Sequence, residues 1–430
     1  MRPWTELAAQ CAARLLLPAL RAGVAAAERA ACMPEGADDG ITLLGRPPIA
    51  VSPMRLALGY AGRSVLVSGA GGSIGSELCR QILACDPRRL VLFDVSEPAL
   101  FAIDRELRAL PEARGIEIVP ILGSVADATL VRRVLARERV DVVLHAAAYK
   151  HVPLVEGNPL AGFANNVLGT ETLARESRDA GVARFVLIST DKAVNPANVM
   201  GATKRLAEQV VAREAAAGGP TRFAAVRFGN VLGSSGSVVP LFRAQIAAGG
   251  PVTVTDPAAT RYFMSVTDAV RLVLVAGAHT RGGETFVLDM GAPVAIGDLA
   301  RRMILASGNR VRASGSGGRG IEVVTTGLRP GERLHEEDVR AGAVPGDLHP
   351  AILTARPERP QSALLEATLE EGRRALAAGD AEAIRLVLAS AMRDDRASDC
   401  PAQDLPDPPP HARPGRADAK GTAGRMLLAG

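Results

Sequence analysis

The chain is poor in aromatic side chains: phenylalanine, tryptophan and tyrosine make up 3% of 430 residues, with one tryptophan. Stacking platforms for single-stranded nucleic acid need such rings, so no nucleic-acid partner is expected. A surplus of one charge is also missing. Fifty basic against forty-six acidic side chains leave a formal net charge of +4, too slight to argue for a polyanion or a membrane surface. The five cysteines (Cys11, Cys32, Cys79, Cys85 and Cys400) are scattered and form no CxxC pair. That pattern argues against a structural zinc site and fits a reducing cytoplasm. The histidines show no HxxxH or HxH spacing, so no metal centre is expected. No window reaches the roughly eighteen apolar residues of a membrane span. The nearest candidate, 7–31, is interrupted by Gln10, Arg14, Arg21 and Glu28 and lacks a signal-peptide cleavage pattern. It reads as an amphipathic helix packed on the body or on a partner, with peripheral contact to the inner face of a membrane as the alternative.

What the chain does have is a strand–helix rhythm built on a 47% apolar composition. Val65–Val67 is a short β-branched, apolar strand without alternation, the mark of a parallel strand buried on both faces. Gly69, Gly72 and Gly75 follow it, and a helical pattern over 76–83 places Leu78, Ile82 and Leu83 on one face. A glycine-rich turn between strand and helix lets backbone approach a pyrophosphate, and the helix N-terminus offers it free N–H groups and partial positive charge. Further strands are expected at 89–94, 116–122, 140–144, 184–188, 223–228 and 284–289. Helices are expected at 97–110, 128–137, 170–180, 200–216 and 296–305. The class is therefore α/β: a doubly wound parallel sheet that binds ligands at the carboxyl ends of its strands.

Four segments follow from composition: an N-terminal helical and irregular lead-in (1–62), a dinucleotide-binding domain (63–230), a smaller substrate-binding lobe with return strands and helices (231–392), and a disordered tail (393–430).

The polar residues of interest fall at strand ends. Asp94 lies about twenty residues past the last motif glycine, where a carboxylate suits the adenosine ribose hydroxyls of NAD and repels the 2′-phosphate of NADP. This favours NAD without excluding NADP. Ser189-Thr190-Asp191-Lys192 follows a buried strand, which brings hydroxyl, carboxylate and amine to the cleft. Met200 and Lys204 stand four apart and share a helix face, so Lys204 can reach a nicotinamide ribose while Met200 faces the substrate.

Six phrases together make the pattern specific: 68–77 (SGAGGSIGSE), 145–153 (HAAAYKHVP), 189–196 (STDKAVNP), 227–233 (RFGNVLG), 260–264 (TRYFM) and 329–332 (RPGE). On these the chain resembles the extended short-chain dehydrogenases/reductases. More narrowly it resembles the UDP-N-acetylglucosamine 4,6-dehydratases of capsule, O-antigen and flagellin glycosylation, over about two-thirds of its length. The wider superfamily has Tyr-x-x-x-Lys where this chain has Met200 and Lys204. A thioether cannot take up or release a proton usefully, and Met at this place matches the long polysaccharide-biosynthesis branch. Those members carry membrane helices and an additional nucleotide-binding-like domain ahead of the catalytic one, and this chain resembles the catalytic part alone.

The resemblance implies transient oxidation at sugar C4, loss of the 6-hydroxyl as water and return of the hydride to C6, with NAD recycled and tightly held. It implies Lys192 as the C5 base, Asp191 as the acid for the 6-hydroxyl, and Thr190 as their hydrogen-bonding neighbour. Burial beside Lys204 is expected to lower the Lys192 pKa. Asp191, directly or through water, is the first choice for the 4-hydroxyl base. Gly69, Gly72, Ser73, Ile74, Gly75, Asp94, Ala146, Ala147 and Lys204 are expected around the cofactor. Lys150, His151 and Asn230 are expected near the sugar nucleotide, Arg261 and Arg329 on the diphosphate and Glu332 on the uridine ribose. Pairing of two copies through the helices flanking the active site is expected by the same resemblance. A UDP-sugar C4-epimerase and a non-catalytic NAD-binding protein are the alternatives.

Overall fold

The computed structural model describes residues 44–45, 47–312, 319–356 and 362–397, with 391–397 as backbone alone. The helix expected at 7–31 and almost all of the expected tail lie outside the described residues. The helix Ala381–Ala397 runs a few residues past position 393, where the tail was expected to begin.

Six parallel strands alternate with helices as the apolar runs dictate: β1 (Ser64–Ser68), β2 (Arg89–Asp94), β3 (Glu117–Leu122), β4 (Val142–His145), β5 (Arg184–Ile188) and β6 (Arg222–Arg227). They belong to a nine-stranded sheet. Its order is Val344–Pro345, Ile352–Thr354, Glu284–Leu288, β6, β5, β4, β1, β2, β3. Only the strands Ile352–Thr354 and Val344–Pro345 pair antiparallel. Every residue of β1 and β4 is buried, because helices cover both faces of the sheet. One face is closed by Leu78 and Ile82 of the helix Ser73–Leu83, Ile103 and Leu107 of the helix Glu97–Ala109, and the helix Val266–His279. The last of these keeps Val270 and 272–276 fully buried. The other face is closed by the helices Ala128–Glu138, Gly169–Asp179 and Val199–Ala216. β3 is the edge, and its exposed register tolerates Pro120.

The strand order reverses between β1 and β4, and a crevice opens there at the carboxyl ends of the strands. A separate apolar cluster beside it gathers Leu232, Phe242, Val252, Phe263, Leu299 and Ile321 around a three-stranded sheet.

One expectation needs correction. The lead-in after 7–31, where no helix is expected from the sequence, contains the helix Pro53–Tyr60, which starts with proline at its first position. Tyr60 is fully buried and donates its hydroxyl proton to the Leu274 carbonyl at 2.9 Å.

The helices expected to pair two copies also carry later elements of the same chain. A C-terminal helix pair, Ser362–Ala378 and Ala381–Ala397, packs on them. Leu365, Leu369, Ile384, Val387 and Leu388 close over Phe163, Val167, Leu206 and Val210. Gly372 sits against the Phe163 ring, where a Cβ would come within 2.1 Å of it. Arg373 pairs with Glu171 at 2.5 Å, Arg385 with Glu156 at 3.2 Å, and Arg213 with Glu366.

Candidate active site

The glycine turn is shaped by what cannot fit. Gly69 has φ +69°, and a Cβ there would stand 2.8 Å from the Ala147 nitrogen. A Cβ on Gly75 would fall 1.8 Å from the Gly69 carbonyl oxygen. The turn therefore folds flat onto the end of β4, and the helix begins at Ser73, three residues before its expected start, with Gly72 as its N-cap. Its first-turn N–H groups open on a cavity of about 840 Å³ that runs from Gly69, Ser73 and Ile74 to Arg329 and Glu332.

Beneath the turn lies a buried polar chain. His145 ends β4 with its Nδ1 2.7 Å from Ser68 Oγ and its Nε2 2.9 Å from Thr170 Oγ1. Thr170 spends its own proton on the Asn166 carbonyl at 2.7 Å. Nε2 must therefore donate and Nδ1 must accept from Ser68, which fixes the neutral tautomer. Burial, helped by the nearby Lys204 charge, pushes the imidazole down to about 3, so it stays neutral.

Asn166, fully buried in a π-helical turn over Phe163–Leu168, accepts from the Tyr149 N–H at 2.8 Å and donates to the Tyr149 carbonyl and to Thr203 Oγ1, both at 3.0 Å. It clamps the backbone that presents Lys150 and His151. Sequence reading missed Asn166, and its signal was an amide in an otherwise apolar helical run.

Asp94 ends β2 beside the glycine turn. Its carboxylate is buried, accepting from the Gly71 N–H and the Ser96 N–H, each at 2.8 Å, so its contacts brace the glycine turn. Ala146 lines the cavity, whereas Ala147 packs behind Gly69.

At the end of β5 the chain makes a tight turn over Asp191–Ala193. Thr190 Oγ1 donates to Asp191 Oδ1 at 2.8 Å, and Lys192 Nζ donates to the same oxygen at 2.9 Å. Asp191 Oδ2 is buried and has no hydrogen-bond partner. The expected lowering of the Lys192 pKa is not observed. Burial does push it down, but the Asp191 and Glu336 carboxylates outweigh burial and hold the amine above the ordinary lysine range. Glu336 Oε1 stands 3.4 Å from Lys192 Nζ, a contact that sequence reading did not anticipate.

The helix Val199–Ala216 sets the other wall. Asn198 caps it by accepting from the Gly201 N–H at 2.7 Å. Met200 is buried on the cavity side, and Lys204, one turn on, donates to the Ile188 carbonyl at 2.7 Å. Burial lowers the Lys204 amine to about 8, partly countered by Glu208. A Cβ on Gly201 would meet the Lys192 carbonyl oxygen at 2.2 Å, so this glycine lets helix and turn touch. Gly→Ala in an open helix stabilises by about 1 kcal/mol. Gly201→Ala is expected instead to destabilise the protein by about 1–3 kcal/mol through overpacking. The urea midpoint will fall at constant slope, and a midpoint at or above wild type would show that the turn yields freely.

The remaining expected substrate ligands divide. Asn230 lines the cavity, and its amide nitrogen is buried without a partner. His151 lines it too, with its ring against Gly236. Arg329 is exposed at the rim, while Glu332 accepts from the Arg329 backbone N–H at 3.1 Å. Arg261 lines the cavity, with its guanidinium held by backbone carbonyls. Its terminal nitrogens donate to the carbonyls of Thr260, Leu334 and Arg333 at 2.7, 3.1 and 2.8 Å. Its Nε lies 3.4 Å from Glu336.

Comparison with known proteins places this arrangement. Residues 65–355 match the family model described as "Polysaccharide biosynthesis protein". The capsular polysaccharide biosynthesis protein CapD of Staphylococcus aureus is 49% identical over 295 residues, which are 69% of this chain and 48% of CapD. The chain thus spans about half the length of that relative. An inverting UDP-N-acetylglucosamine 4,6-dehydratase of Campylobacter jejuni is 32% identical over 281 residues, covering 64% of this chain and 77% of the enzyme. The X-ray structure of Pen from Bacillus thuringiensis superposes with a TM-score of 0.62 at 31% identity, covering 70% of this chain and 89% of Pen.

Proposed function

The chain belongs to the polysaccharide biosynthesis protein family, and on that footing we propose that it is a nucleotide-sugar 4,6-dehydratase acting on UDP-N-acetylglucosamine or a close UDP-N-acetylhexosamine. The observation that carries this reading is the Asp191–Lys192 pair. A carboxylate and an amine sharing a 2.9 Å hydrogen bond at a strand end, beside Met200 and Lys204, suit removal of a C5 proton and loss of a 6-hydroxyl. A C4-epimerase needs no such pair at C5.

The glycine cradle and the Ser73 helix N-terminus fit a dinucleotide pyrophosphate, with Lys204 placed for the nicotinamide ribose. Asp94 keeps acceptor capacity on both oxygens for a ribose hydroxyl. NAD, when bound, supplies a hydride acceptor at C4 and a hydride donor at C6. Asn230 and the lobe at 231–392 would supply substrate contacts, with Arg261 and Arg329 as the cations for the diphosphate, Lys150 and His151 near the sugar or phosphates, and Glu332 for the uridine ribose.

The proton count of the pair closes over one turnover. Asp191, as a carboxylate, takes the 4-hydroxyl proton when C4 is oxidised. Lys192, as a neutral amine, takes the C5 proton, and Asp191 gives its proton to the departing 6-hydroxyl, which leaves as water. Lys192 then returns a proton to C5. The cycle starts and ends with carboxylate and neutral amine. Because the two carboxylates raise the Lys192 pKa, the resting pair holds one proton too many, and turnover is expected to rise with pH.

Incubation with UDP-N-acetylglucosamine, read by mass spectrometry without added reductant, tests the reading. Loss of one water is the expected result. An unchanged mass with the C4 epimer appearing would make the protein an epimerase, and bound NAD without conversion would make it a binding protein.

A further inference from the structure

We propose that Glu336 is a positioning residue for Lys192, a second carboxylate that fixes where the amine stands. The inference rests on Lys192 being the C5 base. Glu336 Oε1 lies 3.4 Å from Lys192 Nζ and 3.4 Å from Arg261 Nε, with the Glu336 side chain only 8% exposed. Asp191, on the same turn as Lys192, holds the amine from the other side at 2.9 Å. The charged groups facing the amine are therefore Asp191, Glu336 and, opposing them, Arg261.

Glu336 is not free to wander. Arg261 spends its remaining donors on the carbonyls of Arg333, Leu334 and Thr260. The Thr260 N–H donates to the Leu334 carbonyl at 3.0 Å, and Thr260 Oγ1 lies 2.9 Å from His335 Nδ1. The segment carrying Glu336 is clipped to the strand Thr260–Arg261 on both sides of the backbone. Arg329 and Glu332, proposed for the nucleotide, precede it by seven and four residues. One short segment thus grips the substrate and seats the base.

A purely structural Glu336, serving Arg261 alone, would leave Lys192 ionisation unmoved. The test is acetylation of Lys192 by acetic anhydride across pH, followed by peptide mass spectrometry on the full-length folded chain. Wild type, Glu336→Gln, Glu336→Asp and Glu337→Gln are compared. Only the neutral amine reacts, so the rate reports its fraction. Removing one carboxylate within 4 Å is expected to move the rate–pH line of Glu336→Gln down by about one unit, a roughly tenfold faster labelling at fixed pH. The rising limb of turnover will shift with it. Glu336→Asp will return the line toward wild type. Glu337→Gln, which removes a carboxylate bonded to Arg333 and Asn195, will leave the line in place. An unmoved line in folded Glu336→Gln overturns the proposal even where dehydration proceeds. A shifted line without dehydration upholds the seating of Lys192 and overturns the dehydratase reading.

Discussion

Lys192→Ala will lower turnover of the UDP-N-acetylhexosamine by about two to four orders of magnitude, the range a positioned proton-transfer group supplies. The loss should fall on kcat while bound dinucleotide is retained, because Lys192 sits on the Asp191–Ala193 turn and the cofactor cradle is built from Gly69, Gly75 and Ser73. Removing the amine also strips Asp191 of a partner. One of its oxygens already has none, so the variant carries a buried carboxylate with only Thr190 to satisfy it. The measurement is single-turnover product formation by mass spectrometry, with cofactor stoichiometry read by absorbance after denaturation. Wild-type rates in the variant would remove Lys192 from the chemistry. Loss of cofactor together with activity would point to a folding defect, which a Lys192→Gln control would separate.

Glu208→Ala should be the costliest single change for stability, by about 3–5 kcal/mol. Glu208 is 5% exposed and anchors three groups. Arg227 reaches it through two nitrogens at 2.9 and 2.6 Å, and Ser189 donates at 2.5 Å. Arg205 stands 3.6 Å away. These contacts bind the ends of β5 and β6 to the helix that carries Met200 and Lys204. Breaking a buried pair leaves the partner charge without its counterion, whereas exchanging both for apolar residues of similar volume is often nearly neutral. The double variant Glu208→Leu, Arg227→Met should therefore lose much less than Glu208→Ala. Burial pushes the Glu208 carboxyl up, but the cationic neighbours and the Ser189 hydroxyl outweigh it and hold the group below the usual range. Its stabilising effect is present above the unfolded carboxyl pKa and is lost as pH falls through the folded value. Wild type should thus show an acid loss of stability that Glu208→Ala lacks. Urea unfolding at neutral and acid pH measures both, and equal midpoints for variant and wild type would sink the assignment.

The sheet was legible because its strands are parallel and buried on both faces. Runs such as Val65–Val67 and 184–188 can be little else, and the motif residues fall at their ends by topology. Boundaries shifted by one to three residues, most at Ser73, where the turn closes earlier than the apolar stripe suggests. What stayed hidden depends on partners far along the chain. Arg261 reads as a free cation until the carbonyls of Arg333 and Leu334 are seen to occupy it. Glu336 reads as one acid in the 332–338 run until folding sets it on Lys192. The Lys192 pKa was read with the wrong sign for the same reason. Burial alone lowers a lysine, and only the positions of two carboxylates reverse that. The helix Pro53–Tyr60 escaped because a proline that starts a helix looks like one that forbids it.

The C-terminal helix pair has a consequence beyond packing. Its apolar seam with Phe163, Leu206 and Val210 lies on the far side of the helices that carry Asn166 and Lys204. A seam between two molecules comes apart on dilution, and the walls it supports loosen with it. A seam closed by the same chain is held at an effective concentration that a tether sets and dilution leaves unchanged. Whatever the number of copies in solution, the share of support that this seam gives to the helix of Met200 and Lys204 comes from the same chain, because one strand of peptide brings its own buttress.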